Sequence, residues 1–189
     1  MVGNKEDWRK VIHLVLGIAL IWYAYYTNAD ETFFKAIFWL MMASLAADFL
    51  ISDLGLKLPI YSAVERGTER KGMHAVTLAL LAAIVSFKFF DFNIAVAGFA
   101  MLSFGDAAAY YIGSRFGKKK LWKKKSVAGF IANLVVSAVV GYLVLNLVVV
   151  ALLMAVVAAV VEAFVQNIDD SLAIPLSAGL AGQLITGML

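Results

Sequence analysis

Four groups of polar residues interrupt an otherwise apolar chain, and their types point to chemistry on phosphates. The stretch GDAAAYYIGSRFGKKKLWKKKSVAGF, Gly105 to Phe130, sets a carboxylate, Asp106, inside an apolar segment. It then supplies Arg115, Lys118, Lys119, Lys120, Lys123, Lys124 and Lys125. Gly113 and Gly117 bracket Arg115, a spacing suited to wrapping backbone around a phosphate. Lys125-Ser126 stands where the next helix should start, with Gly129 just inside it, and free N–H groups at a helix start favour anions. The GxxxxGK[ST] pattern of a Walker A loop is absent. The plain alternative is that lysines following a membrane span anchor its topology and attract anionic lipid.

The second group is EAFVQNIDDSLAIP, with Glu162, Asp169 and Asp170. Glu162 and Asp169 are seven residues apart, close to two helical turns, which places them on one face. Asp169-Asp170 precedes Ser171 and Pro175 and marks a helix break at the membrane edge. Adjacent carboxylates aimed at one place call for a hard cation, and Mg²⁺ is held by carboxylates together with substrate phosphates. Asp106, Glu162, Asp169 and Asp170 form that candidate set. The alternative is that Asp169 caps the last helix and Asp170 is solvated. An ionisable group within a span costs about 2.5–3.5 kcal/mol, which makes Asp106 a functional candidate, although pairing with a neighbouring cation would also explain it.

The remaining groups are smaller. Arg9, Lys10 and His13 lie within about one turn of each other on the first apolar segment, with Gly17 one turn deeper. His13 reads as a proton carrier, a phosphate contact or an interfacial residue. ERGTERKG repeats acid–base pairs at a spacing of four through Glu65, Arg66, Glu69, Arg70 and Lys71, as a substrate contact or a solvated turn held by ion pairs. Asp48 and Asp53 take no assigned role.

The elements that must position these groups are membrane helices. Of 189 residues 63% are hydrophobic, against ~45–50% in a soluble domain even with glycine counted. The mean hydropathy is +0.88. On a ruler of ~17–25 residues per span, the chain reads as an all-α, polytopic integral membrane bundle of about seven transmembrane helices in a single catalytic domain, residues 1–189. The spans cover Val11–Tyr26, Phe33–Ile51, Met73–Phe87, Phe92–Ile112, a block from Val127 to Val165 split near Asn146, and Leu172–Leu189. Alternate connections divide the 16 Lys and Arg residues into fourteen on one side and two, Lys35 and Lys88, on the other. The positive-inside rule then places the N-terminus in the cytoplasm and the C-terminus outside. The charged start followed by an apolar run lacks a small-residue cleavage site and reads as a retained first helix. The chain has no cysteine, which excludes disulfides, thiolate metal sites and cysteine catalysis. A net charge of +3 confined to loops is not a nucleic-acid signature.

RKVIH with Gly17, ERGTERKG, GDAAAYYIGSRFGKKK…KKKSVAG and EAFVQNIDDSLAIP, in this order, resemble the CTP-dependent lipid kinases. That family includes dolichol kinase, phytol kinase and CTP-dependent diacylglycerol kinase. The resemblance covers nearly the whole chain. The related CDP-diacylglycerol synthases share the GD…G…FGK…K[ST]..G portion but end in an HGG..DR stretch, whereas no histidine follows His74 here. The family's usual glutamate after KS is also missing, since the sequence reads KSVAG.

The resemblance implies phosphoryl transfer from CTP to a membrane lipid alcohol (a polyprenol, another isoprenoid or diacylglycerol) at the cytoplasmic face of the cell membrane. Asp106, Asp169 and Asp170 would hold Mg²⁺, and Arg115, Gly117, the loop lysines, Ser126 and Gly129 would cradle phosphates. Asp106 is the expected acceptor of the hydroxyl proton. The expected partners are the lipid alcohol and a nucleoside triphosphate, with a homodimer allowed and nucleic acid excluded. Rival readings are a cytidylyltransferase acting on a lipid phosphate and, in another class, a small cation- or proton-coupled transporter. The gathering of charge at one face weighs against the transporter.

Overall fold

A computed structural model describes residues 3–52, 74–123, 125–165 and 167–188. Asp53, the ERGTERKG residues Glu65, Arg66, Glu69, Arg70 and Lys71, and Lys124 lie outside the described residues.

The described chain is helical apart from one small hairpin. Helix α1 spans Gly3–Thr27, α2 Glu31–Ser52 and α3 Ala75–Phe89. A long central helix follows, made of α4 (Phe92–Ala100), a π-helical turn (Met101–Gly105) and α5 (Asp106–Phe116). Strands β1 (Lys120–Trp122) and β2 (Lys125–Ser126) pair antiparallel, with Lys123 in the left-handed region between them. Helices α6 (Val127–Leu145), α7 (Val148–Phe164) and α8 (Asp170–Thr186) complete the bundle. Among the described residues four helices are long and apolar enough to cross a membrane: Asp7–Thr27, Glu31–Ile51, Phe92–Phe116 and Val127–Leu145. The protein is thus an all-α membrane protein, with the hairpin in the basic loop as its one departure from the expected helix-only architecture.

Local chemistry explains the breaks. Asn146 closes α6 in a left-handed conformation with φ 55°, which suits asparagine, and so splits the apolar block where its polar residue suggested. Helix α7 stops at Phe164 and Asp169 caps α8, its Oδ1 accepting from the Ser171 N–H at 2.9 Å. Glu162 and Asp169 therefore do not share one helix face: α7 ends at Phe164, and the Asp169 side chain starts a new helix rather than extending the old one.

The central helix is the most enclosed of the four long ones. Around it, Phe33, Phe87 and Phe99 fill one core with Leu80 and Val96, while Met101, Met154 and Ile174 fill another. Small residues line the second core (Ala97, Ala155, Ala158 and Ala178), which lets helices approach closely by van der Waals packing. On the outside, α1 and α2 expose Val15, Trp22, Phe38 and Trp39, the apolar surface a lipid-facing helix presents.

Candidate active site

Helix α1 brings Arg9, Lys10 and His13 against the central helix. The Lys10 ammonium pairs with the Asp106 carboxylate, and both side chains are largely buried, at 9% and 13% exposure. Tyr110, one turn beyond Asp106, donates from its hydroxyl to Asp7 Oδ1 at 2.9 Å and places its ring 5.8 Å below the Lys10 ammonium. A second ion pair joins Lys125 of β2 to Glu162 of α7, whose side chain is 3% exposed. Arg9 is buried beside them.

The π turn is what aims Asp106. One extra residue per turn shifts the following side chains around the helix axis, and such turns recur at functional sites. Gly105, its last residue, packs against α6 so closely that a Cβ would sit 2.5 Å from Ser137 Oγ and 2.8 Å from Asn133 Oδ1. Ser137 in turn donates to Asn133 Oδ1 at 2.9 Å. Asn133 and Ser137, four apart in an apolar helix, are supporting residues that sequence reasoning passed over; their polarity was the available signal.

Two cavities meet at this point. One, of about 270 Å³, runs between α1, α2, α3 and the central helix and is lined mainly by carbon. Its lining residues with polar side-chain atoms are Lys10, His13, Tyr23, Ser103, Asp106 and Ser171. The other, of about 380 Å³, opens beside the hairpin and is lined by Arg9, Lys10, Asp106, Tyr110, Ser114, Lys125, Ser126 and Glu162 among others. Lys10 and Asp106 are the residues common to both.

The basic loop divides unevenly. Lys125, Ser126 and Gly129 reach the polar cavity, whereas Arg115, Lys118, Lys119, Lys120 and Lys123 are exposed and line neither cavity. The loop glycines serve close packing. A Cβ on Gly113 would come within 3.0 Å of Ser126 Oγ, and one on Gly129 within 2.9 Å of the Ala109 carbonyl. Ser126 caps α6 by accepting the Gly129 N–H at 3.1 Å, so that N–H is already engaged. Gly117 closes α5 rather than lining a cavity.

The carboxylates expected to share a metal are placed differently from one another. Asp106 and Glu162 have ammonium partners, Asp169 caps α8, and Asp170 is the first residue of α8. Among the described residues no three His, Asp or Glu side chains converge as a metal cage. Burial, and next the charge of Asp106, push the Asp170 carboxyl up to about 7, with Lys125 opposing. Burial alone would lower the Lys125 ammonium, but Glu162 and Asp170 raise it above its ordinary value. Asp48, unassigned in the sequence, ties α2 to the start of α3. Its Oδ2 accepts from the His74 N–H at 3.0 Å and from Thr77 Oγ1 at 2.7 Å, and His74 Nδ1 lies 2.6 Å from Oδ1.

A membrane helix bundle with buried cations and carboxylates between a polar and an apolar cavity defines a class, and the sequence comparison names it. The chain belongs to the cytidylyltransferase family, whose sequence profile matches residues 1–170. It is also similar to the CTP-dependent diacylglycerol kinase 1 of Saccharomyces cerevisiae, at 28% identity over 141 residues. That match takes in 69% of this chain and 47% of the yeast protein, so the chain corresponds to about half the length of this relative. No solved structure matches. The resemblance read from the four motifs to the CTP-dependent lipid kinases is thereby upheld.

Proposed function

We propose that this protein is a CTP-dependent kinase that phosphorylates a membrane lipid alcohol at the cytoplasmic face. The observation that carries the reading is the sharing of Lys10 and Asp106 by an apolar and a polar cavity. Phosphoryl transfer needs positioning and charge neutralisation more than covalent chemistry. The polar cavity, with Arg9, Lys10, Lys125 and Ser126, suits a triphosphate. The apolar cavity suits a lipid tail whose hydroxyl points to the Lys10–Asp106 end. CTP as the donor follows from the yeast relative's name.

Asp170, raised by burial and by neighbouring negative charge, is the carboxylate that would gain most from a cation. Its oxygens, together with phosphate oxygens, fit Mg²⁺, which is commonly held by one or two carboxylates and its substrate. When bound, that ion would neutralise charge on the triphosphate. Lys10 and Lys125 already perform the same service from the protein side, and Asp106 and Glu162 hold the two ammonium groups in place.

The family's name favours a second reading, cytidylyl transfer to a lipid phosphate. One experiment separates the two. Purified protein with Mg²⁺ is given CTP labelled at either the α- or the γ-phosphate, with ATP in parallel, and a panel of lipid alcohols and lipid phosphates. The kinase reading expects γ-label in lipid from CTP and no α-label. Lipid carrying α-label would establish cytidylyl transfer, and no lipid product from any nucleotide would overturn both.

A further inference from the structure

The Lys10–Asp106 pair raises a question about the acceptor's proton. Asp106 was the expected base, but its carboxylate already accepts from the Lys10 ammonium. Of the other polar groups on the apolar cavity, Lys10 is a cation with no lone pair to offer, and Ser103 spends its hydroxyl proton on the Phe99 carbonyl at 2.9 Å. Ser171 and Tyr23 offer hydroxyls, which are poor bases. His13 remains. It lines the apolar cavity and not the polar one. Its Nε2 is buried and has no hydrogen-bond partner among the described residues. A buried imidazole nitrogen left unpaired costs free energy that a hydrogen bond from a ligand would recover.

We propose that His13 Nε2 accepts the hydrogen bond of the lipid hydroxyl and takes its proton during transfer. The inference rests on the kinase reading above. As the acceptor oxygen forms its bond to the γ-phosphorus, its O–H bond breaks and the proton passes to Nε2. The bond from the γ-phosphorus to the β–γ bridging oxygen breaks, and its electron pair leaves with the nucleoside diphosphate. The imidazolium then gives its proton to water, restoring the neutral ring. Histidine is the side chain most often used for such transfers.

The test uses His13→Asn and His13→Ala in the full chain, checked for monodispersity and melting temperature. The acceptor is whichever of farnesol, phytol or dioctanoylglycerol the wild type phosphorylates fastest, together with its analogue fluorinated next to the carbinol carbon. General-base loss predicts a kcat lower by about 10²–10⁴-fold. The KM for CTP should stay within about threefold, because His13 is absent from the polar cavity. The fluorinated alcohol, a stronger acid, should shrink the kcat defect at least about tenfold on the same principle. The proposal is overturned if either variant keeps kcat within about threefold of wild type, or if the defect is equal for both acceptors. Failure of the wild type to phosphorylate any alcohol would instead defeat the kinase reading itself.

Discussion

The Lys10–Asp106 pair offers the sharpest test of whether its charges serve stability or chemistry. Lys10→Met leaves a carboxylate at 13% exposure beside the π turn without its cation. Breaking a buried pair by removing one partner costs about 3–5 kcal/mol, because the other charge stays uncompensated. Asp106→Asn strands the ammonium instead, but the flexible Lys10 stem can shift its head toward the polar cavity, so a smaller loss is expected. Replacing a buried ion pair with neutral groups of similar volume is often neutral or stabilising. The double variant Lys10→Met/Asp106→Asn should therefore recover to within about 1–2 kcal/mol of wild type on that basis. Activity should not recover. Removing a single charge-stabilising donor costs about 10²–10³-fold in kcat, and Lys10 lines both cavities. The assay is a double-mutant cycle run twice, once on unfolding free energy in lipid nanodiscs and once on transfer of γ-label to lipid. A stable double variant with no activity supports the argument. A double variant that transfers label at near wild-type rate, or whose two stability losses simply add, would refute it.

Four further outcomes follow from the same geometry. Asp170, raised to about 7, binds a proton in the fold at pH values where the unfolded carboxyl, near its ordinary ~3.9, has lost it. Its contribution to stability is thus fully present below about pH 4 and is lost as pH rises through about 7. Thermal melts at pH 5 and pH 8 should show wild type losing more stability across that interval than Asp170→Asn. Mg²⁺ with CTP should restore the pH 8 loss only in wild type. Gly129→Ala drives a Cβ to 2.9 Å from the Ala109 carbonyl, so α5 and α6 must separate; overpacking of this kind costs about 1–3 kcal/mol, read by unfolding in the same nanodiscs. Replacing exposed Lys118, Lys119, Lys120 and Lys123 with glutamine should leave kcat within about threefold and weaken mainly the salt-dependent approach of nucleotide. Lys125→Gln, which strips Glu162 of its partner in the polar cavity, should abolish most activity in the same steady-state assay.

The helical framework was legible because apolar length is a local property. The split at Asn146 was too, since a polar residue in a long apolar block has few places to go except a turn. The site was legible only as an inventory. Asp106, Lys10, Lys125, Glu162 and Asp170 were all singled out, yet which carboxylate meets which ammonium depends on helix packing. Lys10 and Asp106 stand 96 residues apart, and Lys125 and Glu162 stand 37 apart. No spacing rule within one helix reaches that far.

Two particular misreadings have the same origin. The spacing of Glu162 and Asp169 assumed a helix that continues, whereas the Asp169 side chain captures the Ser171 N–H and starts another. The seven cations of the basic loop read as one phosphate cradle, on the glycines around Arg115 and the helix start at Lys125-Ser126. Arg115, Lys118, Lys119, Lys120 and Lys123 are exposed, whereas β2 inserts Lys125, whose partner Glu162 had no visible reason in the sequence to select it. Contiguity measures local charge density, which governs topology and encounter. Burial decides which charge does chemistry, because only a cation removed from water keeps its full effect on a phosphate beside it. By that criterion buried Lys10 and half-buried Lys125 are, among the described residues, the ammonium groups the proposed reaction would use, and Arg9 would join them from the same helix as Lys10.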